Sequence, residues 1–295
     1  MPELPEVETM RRGLLGAEGG RFEAVVREPC PRKPITLEPR IDVLQRRLRG
    51  ARLQQVDRIG KRIVLRSDHG QNLVIEPRMT GLVLVADPPT VEHLRLRIEL
   101  SGCRDRRVWF WDRRGLGTVR LLSDAELAER LGPEKLGPDA LHVDAALLRE
   151  RLGASQRAIK VALLDQSAVA GIGNLYASEI LHVASVDPRQ TCRRLVPSQW
   201  SAIADATLEV LKEAILHEGS TLSDGTYRNA LNQTGDYQNM HRVYDRAEQP
   251  CPRCHTPIIR IVQAQRSTFY CPKCQTQRPR RDNSGKGGDN ARSAQ

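Results

Sequence analysis

Leu94-Arg95-Leu96-Arg97-Ile98-Glu99-Leu100 alternates apolar and charged residues without a break. Successive side chains of a strand point to opposite faces, so the run predicts a half-buried β-strand with Leu94, Leu96, Ile98 and Leu100 inward. Similar short segments flank it, separated by Gly, Asp and Pro: residues 22–27, 53–59, 62–66, 72–75 and 82–86 before it, and 107–111 and 118–122 after it. This many short strands predicts two packed sheets. A helix over residues 4–15 precedes them, with Val7, Met10, Leu14 and Leu15 on one face.

Beyond residue 122 the texture changes. Ser123-Asp124-Ala125-Glu126 has the form of a capping box and opens a helix. Helical stretches are expected at 144–152, 158–164, 174–182, 197–218 and 227–231, with the Gly- and Pro-rich residues 135–141 as the connection between two domains. The expected organisation is a β-sandwich domain over residues 1–134, a helical domain over 142–231, a small unit over 242–277 and a disordered basic tail over 278–295.

Composition narrows the function classes. The 295 residues carry a net charge of +10 and a pI of about 9.6, which suits a polyanionic partner without demanding one. No apolar run approaches the roughly 18–20 residues of a membrane span, so no membrane partner is expected. Residues 1–9 hold three Glu and two Pro with no apolar stretch behind them, so no secretory signal is read and a cytoplasmic location is expected. Three of the seven cysteines, Cys30, Cys103 and Cys192, are scattered; four are paired near the C-terminus.

Those four form the strongest local motif. Cys251-Pro252-Arg253-Cys254 and Cys271-Pro272-Lys273-Cys274 are two CxxC knuckles, sixteen residues apart. Such a pair places four thiolates around one tetrahedral ion, and zinc suits their softness. The intervening residues 258–263 and 267–270 predict a hairpin with Gln265 and Arg266 at its tip. Residues 251–281 contain seven Lys/Arg and no Asp or Glu, which favours contact with a polyanion over a purely structural clip.

Pro2-Glu3 is a second candidate. Removal of an initiator Met leaves Pro2 as a secondary amine. Such an amine can attack a sugar C1′, and the resulting iminium has no N–H to lose, so it stays cationic and accepts electrons. Glu3 is adjacent and suited to proton transfer. On these residues alone the reading of a frayed, inert terminus outweighs the catalytic one.

The wider pattern bears on that choice. Pro2-Glu3-Leu4-Pro5-Glu6-Val7-Glu8-Thr9, then Arg11-Arg12-Gly13, resembles the start of the formamidopyrimidine-DNA glycosylases, the Fpg/MutM branch of the Fpg/Nei family. The resemblance continues in order to about Gln277: Gly60-Lys61-Arg62 is similar to a family lysine turn, Glu76-Pro77-Arg78-Met79-Thr80-Gly81 to a Met-containing loop, Ala170-Gly171-Ile172-Gly173-Asn174-Leu175-Tyr176-Ala177-Ser178-Glu179 to the helix–two-turn–helix, and Gln265-Arg266-Ser267-Thr268-Phe269-Tyr270-Cys271 to the finger tip. The related Nei branch usually begins Pro-Glu-Gly-Pro-Glu, so Leu4 points to the Fpg branch.

The resemblance implies an α+β fold: an N-terminal β-sandwich with flanking helices, a helical domain containing the helix–two-turn–helix, and a C-terminal four-cysteine finger with one structural Zn2+. It implies a monomeric bifunctional DNA glycosylase/AP lyase acting on double-stranded DNA with oxidised purines or abasic sites, in the cytoplasm on the nucleoid. Residue by residue, Pro2 matches the Schiff-base nucleophile, Glu3 the proton donor and acceptor, Lys61 the lysine that binds phosphate and assists elimination, and Arg266 the finger arginine of the second elimination. Asn174 matches a residue on a lesion-flanking phosphate, and Met79 one that fills the space of the flipped base.

Three departures touch lesion preference. Where the family has Asp-Pro-Arg-Arg-Phe-Gly, this chain has Asp112-Arg113-Arg114-Gly115-Leu116-Gly117, giving Arg114 as the intercalating arginine and Leu116 in place of a phenylalanine wedge. Of a His-x-His only His93 remains, and a basic cluster thins to Arg157 and Lys160; His93 and Arg157 are carried over as DNA contacts. Gly219-Ser220-Thr221-Leu222 resembles the start of a loop that covers 8-oxoguanine. The alternatives are Nei-like excision of oxidised pyrimidines and a non-catalytic binder of damaged DNA.

Overall fold

The computed structural model of the chain describes residues 2–276. The expectation of disorder for 278–295 lies outside the described residues. Among the described residues no helix is long and apolar enough to cross a membrane.

Helix α1 (Leu4–Gly13) comes first, followed by β1 (Arg21–Arg27), β2 (Thr36–Glu38) and α2 (Ile41–Leu48). Seven more strands follow: β3 (Leu53–Ile59), β4 (Arg62–Ser67), β5 (Gln71–Glu76), β6 (Gly81–Leu84), β7 (Leu94–Ser101), β8 (Arg107–Asp112) and β9 (Thr118–Ser123). They form a four-stranded sheet, β1-β7-β8-β6, and a five-stranded sheet, β2-β9-β5-β4-β3, antiparallel except where β2 runs parallel to β9. Leu96, Ile98 and Leu100 of β7 join Phe22, Leu65, Leu73, Phe110 and Leu121 in one core, which confirms the alternation that defines the strand. Each such side chain contributes roughly 1.5–3 kcal/mol on burial.

The alternation misleads at one position. Arg95, on the polar phase, is buried, because its Nε donates to the carbonyl of Asp112 at 2.8 Å and its Nη1 lies 2.8 Å from Sγ of Cys30. Neither β2 nor α2 is among the expected elements. Leu44 and Leu48 of α2 are fully buried, and their spacing is helical.

The helical part comprises α3 (Asp124–Leu131), α4 (Ala145–Leu152), α5 (Ile159–Ala162), α6 (Asn174–Val183) and α7 (Pro197–Leu216). Ser123 caps α3 as expected: its Oγ accepts from Glu126 N at 3.2 Å and its own N donates to the Glu126 carboxylate at 2.8 Å. Residues 227–231 are not a helix. Asn229 Oδ1 accepts from the amides of Leu231 and Gln233, and this local side-chain turn displaces the helical ladder. The last two described strands, β10 (Ile259–Gln263) and β11 (Arg266–Tyr270), pair as a hairpin. Its two-residue turn is Ala264-Gln265, both at positive φ, and Arg266 opens β11 opposite Gln263.

Helix α1 straddles the two halves. Val7, Met10 and Leu14 belong to the sandwich core, whereas Leu4 belongs to the helical core with Ile172, Tyr176 and Trp200. A buried ion cluster reinforces the joint: Arg58 of β3 donates to Asp139 at 2.6 Å and to Glu8 of α1 at 3.0 Å. Glu8 also accepts from Arg11 and Arg12. Burial works against its charge, but the three guanidinium groups prevail and hold its carboxyl down at about 2.

Candidate catalytic cleft and zinc centre

The N-terminus of the chain sits on the N-terminus of α6. Pro2 and Glu3 are both buried. One carboxylate oxygen of Glu3 accepts from Leu175 N at 3.0 Å and the other from Tyr176 N at 3.4 Å. The first amides of a helix lack intrahelical partners and carry a partial positive charge, so they form a natural seat for an anion. Two glycines make the approach possible. Gly171, at φ +111°, lies against Leu4, and a Cβ there would come within 2.4 Å of its side chain. A Cβ on Gly173 would lie 2.2 Å from the carboxyl carbon of Glu3.

Glu6 fixes the seat from behind. It is fully buried, accepts from the amides of Glu3 (2.8 Å) and Ser220 (2.9 Å), and takes the Tyr176 hydroxyl. Burial, and then the neighbouring Glu3 charge, pushes its carboxyl above the usual range. Glu3-x-x-Glu6 has capping-box spacing, and half of the box forms: the Glu3 amide donates to Glu6, while the Glu3 carboxylate turns to α6 instead.

Two basic side chains converge here. Lys61, after Gly60 at φ +57°, donates from Nζ to the carbonyl of Ile172 at 2.9 Å, which brings the β3–β4 turn to the loop that bears Gly171 and Gly173. Burial lowers its ammonium below the ordinary range; the Glu3 charge opposes that and Arg266 adds to it, so all three groups lie within one electrostatic neighbourhood. Lys160 is the second. It is fully buried, its Nζ donates to Asn174 Oδ1 and lies 3.4 Å from the carbonyl of Ser267, and burial reduces its pKa to about 8. Asn174 Nδ2 donates to the same carbonyl at 3.0 Å, so the finger hairpin is pinned beside exposed Arg266. Lys160 entered the sequence reading only as the remnant of a basic cluster; its burial beside Asn174 had no local signal.

The sandwich supplies two loops organised by Asp112. Its carboxylate takes the Thr80 hydroxyl at 2.5 Å, the Arg114 amide at 3.2 Å and the Gly117 amide at 2.8 Å. Met79, which is 38% exposed, is thereby joined to exposed Arg114 and half-buried Leu116. The segment is bent, not extended: Gly115 has φ +63° and packs on the backbone of Lys33. His93 packs edge-on against Trp111 with ring centroids 5.4 Å apart. Arg157 is paired with Asp165 at 2.9 Å. Neither is drawn to Glu3 by a contact.

The four cysteines converge as their spacing predicts. Their sulfurs all lie within 4.8 Å of one another, with Cys251–Cys274 at 3.9 Å and Cys254–Cys271 at 3.4 Å. A tetrahedron with zinc–sulfur bonds of 2.3 Å has sulfur–sulfur edges of roughly 3.8 Å, so the donor set fits zinc in both type and size.

Three family models match successive parts of the chain: the formamidopyrimidine-DNA glycosylase N-terminal domain over residues 1–119, its H2TH domain over 131–226, and the zinc finger found in FPG and IleRS over 248–277. A formamidopyrimidine-DNA glycosylase of Chloroflexus aurantiacus is 40% identical over 278 residues, covering 93% of this chain and 98% of that one. The MutM (Fpg) protein of Thermus thermophilus superposes with a TM-score of 0.80 at 35% identity, covering 94% of this chain and all of that one. Lactococcus lactis Fpg in complex with DNA containing an abasic site gives 0.82 at 31% identity, covering 93% and 100%. The finger holds one structural zinc ion.

Proposed function

The chain belongs to the formamidopyrimidine-DNA glycosylase family, and from that premise we propose that Pro2 is the nucleophile of its reaction. The protein is a DNA glycosylase of base excision repair with AP lyase activity, acting on double-stranded DNA that carries oxidised purines or abasic sites. The observation that carries the proposed roles is the seating of Glu3 on the first amides of α6, beside Pro2 and within electrostatic reach of Lys61.

Each group has a defined task. The target nucleotide is turned out of the duplex, because its C1′ is otherwise out of reach. The Pro2 amine forms a bond to C1′ and the base leaves with the glycosidic electron pair. Glu3 takes the proton that the Pro2 nitrogen loses and passes it to O4′ as the sugar ring opens, leaving an iminium on Pro2. Loss of a C2′ proton then expels the 3′ phosphate, and a second elimination expels the 5′ phosphate. Lys61 and Arg266 receive those phosphates, Asn174, oriented by buried Lys160, holds a flanking one, and Met79, Arg114 and Leu116 fill the vacated space. His93 and Arg157 contribute backbone contacts at the rim.

DNA runs between a sandwich unit (residues 1–134) and a helical unit (142–231), with the finger (242–277) closing one side. The enzyme acts as a monomer in the cytoplasm at the nucleoid, where reducing conditions suit three free thiols and four zinc-binding thiolates. Single-turnover excision on duplexes bearing 8-oxoguanine, a formamidopyrimidine, an oxidised pyrimidine or an abasic site tests the assignment. Fastest release of the two purine lesions is expected. Preference for the pyrimidine would make the enzyme Nei-like, and binding without release would make it a non-catalytic binder.

A further inference from the structure

The zinc centre has a neighbour from outside the finger. His182, in the last turn of α6, is fully buried, and its Nε2 lies 3.4 Å from Sγ of Cys251. Its other nitrogen, Nδ1, is buried and has no hydrogen-bond partner among the described residues. A neutral imidazole has one N–H and one lone pair. With the proton on Nδ1, a buried donor would go unmet and the Nε2 lone pair would face a thiolate. With the proton on Nε2, the thiolate receives a hydrogen bond and only an acceptor is left over. The second arrangement costs less.

The surroundings keep this contact in register. Arg253, between the first two cysteines, donates from Nη1 to the carbonyl of His182 and from Nη2 to that of Val183, both at 3.0 Å, and so caps the end of α6. Gln275 Nε2 donates to Val186 O at 2.9 Å. The finger is thus clasped to the helix whose opposite end seats Glu3.

We infer that His182 is a positioning residue for the zinc centre: its Nε2–H donates to the Cys251 thiolate and slows loss of the ion. The inference rests on the zinc-finger reading. A zinc-bound thiolate keeps part of its negative charge, and a donor aimed at it offsets that charge and makes protonation and release harder. Such groups beyond the ligands change metal affinity about 10–100-fold.

The test uses the zinc-loaded full-length chain with His182→Phe, which keeps a buried ring and removes the donor, and His182→Gln, which restores an N–H at similar reach. Transfer of zinc to the chelating dye 4-(2-pyridylazo)resorcinol should be about tenfold faster for His182→Phe and near wild type for His182→Gln. In the cobalt-substituted proteins, the thiolate-to-metal charge-transfer band should move to longer wavelength in the Phe variant and return in the Gln variant. Nitrogen-15 NMR of the zinc-loaded wild type needs no variant and should find the His182 proton on Nε2. A proton on Nδ1, equal release from wild type and His182→Phe, or a Gln variant no better than Phe overturns the inference while zinc remains in place. A wild-type chain without zinc overturns the zinc reading and this inference with it.

Discussion

Glu3 and Gly173 are matched so closely that no side chain fits between them: a Cβ on Gly173 would stand 2.2 Å from the carboxyl carbon and about as near to both oxygens. Gly173→Ala should therefore push Glu3 off the amides of Leu175 and Tyr176. Positioned proton transfer typically supplies 10²–10⁴-fold, so excision should slow by about 10²-fold. Single-turnover kinetics checks this, with circular dichroism and zinc content unchanged. Undiminished excision by a folded Gly173→Ala protein would show that Glu3 does not need this seat.

The parts of this site differ in how far the sequence discloses them. Cys251 to Cys274 is legible because ligand spacing and residue type suffice, and β7 because its period is local. Pro2, Lys61, Asn174 and Arg266 lie in four distant segments, and only tertiary packing joins them through Ile172 O and Ser267 O. Burial of polar groups misled most. Arg95 lies on the charged phase of its strand and Lys160 in a thinned basic cluster, yet both are buried and hydrogen-bonded. The missed helix α2 had a readable spacing, whereas the helix expected over 227–231 failed because the Asn229 side chain competes for the backbone.

The Glu8 cluster sets a pH dependence. Glu8 is held at about 2 in the folded protein against a reference of 4.5. A depressed carboxyl contributes stability that is present above the unfolded value and is lost as pH falls from about 4.5 towards 2. Glu8→Gln should cost on the order of 3 kcal/mol at pH 7, and the gap from wild type should narrow through that window. Urea unfolding at pH 7, 5 and 3.5 measures it; a gap independent of pH would remove the ion cluster as its cause.

Asp112 holds Thr80 and Arg114 in one place, and Arg114 placed in the vacated space is expected to face the base left unpaired by the flipped nucleotide. An arginine can donate to cytosine O2 and N3, but it meets an amino donor on the pairing edge of adenine. Arg114→Ala should reduce excision opposite cytosine more than opposite adenine, by roughly 1–3 kcal/mol of lost discrimination. Leu116→Ala should slow both. Excision of 8-oxoguanine opposite each of the four bases decides; equal slowing by Arg114→Ala would reduce Arg114 to a phosphate contact.

Zinc binding in a unit this small is folding free energy. Cys254→Ser should lose the ion, as read by atomic absorption, and with it salt-sensitive DNA affinity. The sandwich core around Leu65, Leu96 and Phe110 should stay folded. Full activity in protein free of zinc would contradict the structural role of the finger.

Whether Pro2 is the nucleophile is settled most directly by borohydride reduction of the enzyme on duplex DNA containing 8-oxoguanine or an abasic site. Reduction converts the iminium to a stable amine and freezes the covalent bond in place. Proteolysis and mass spectrometry should then find the DNA on a peptide that begins at Pro2, and Pro2→Gly should cut the yield sharply. An adduct on Lys61, Lys160 or another internal lysine that survives Pro2→Gly at full yield would contradict the account.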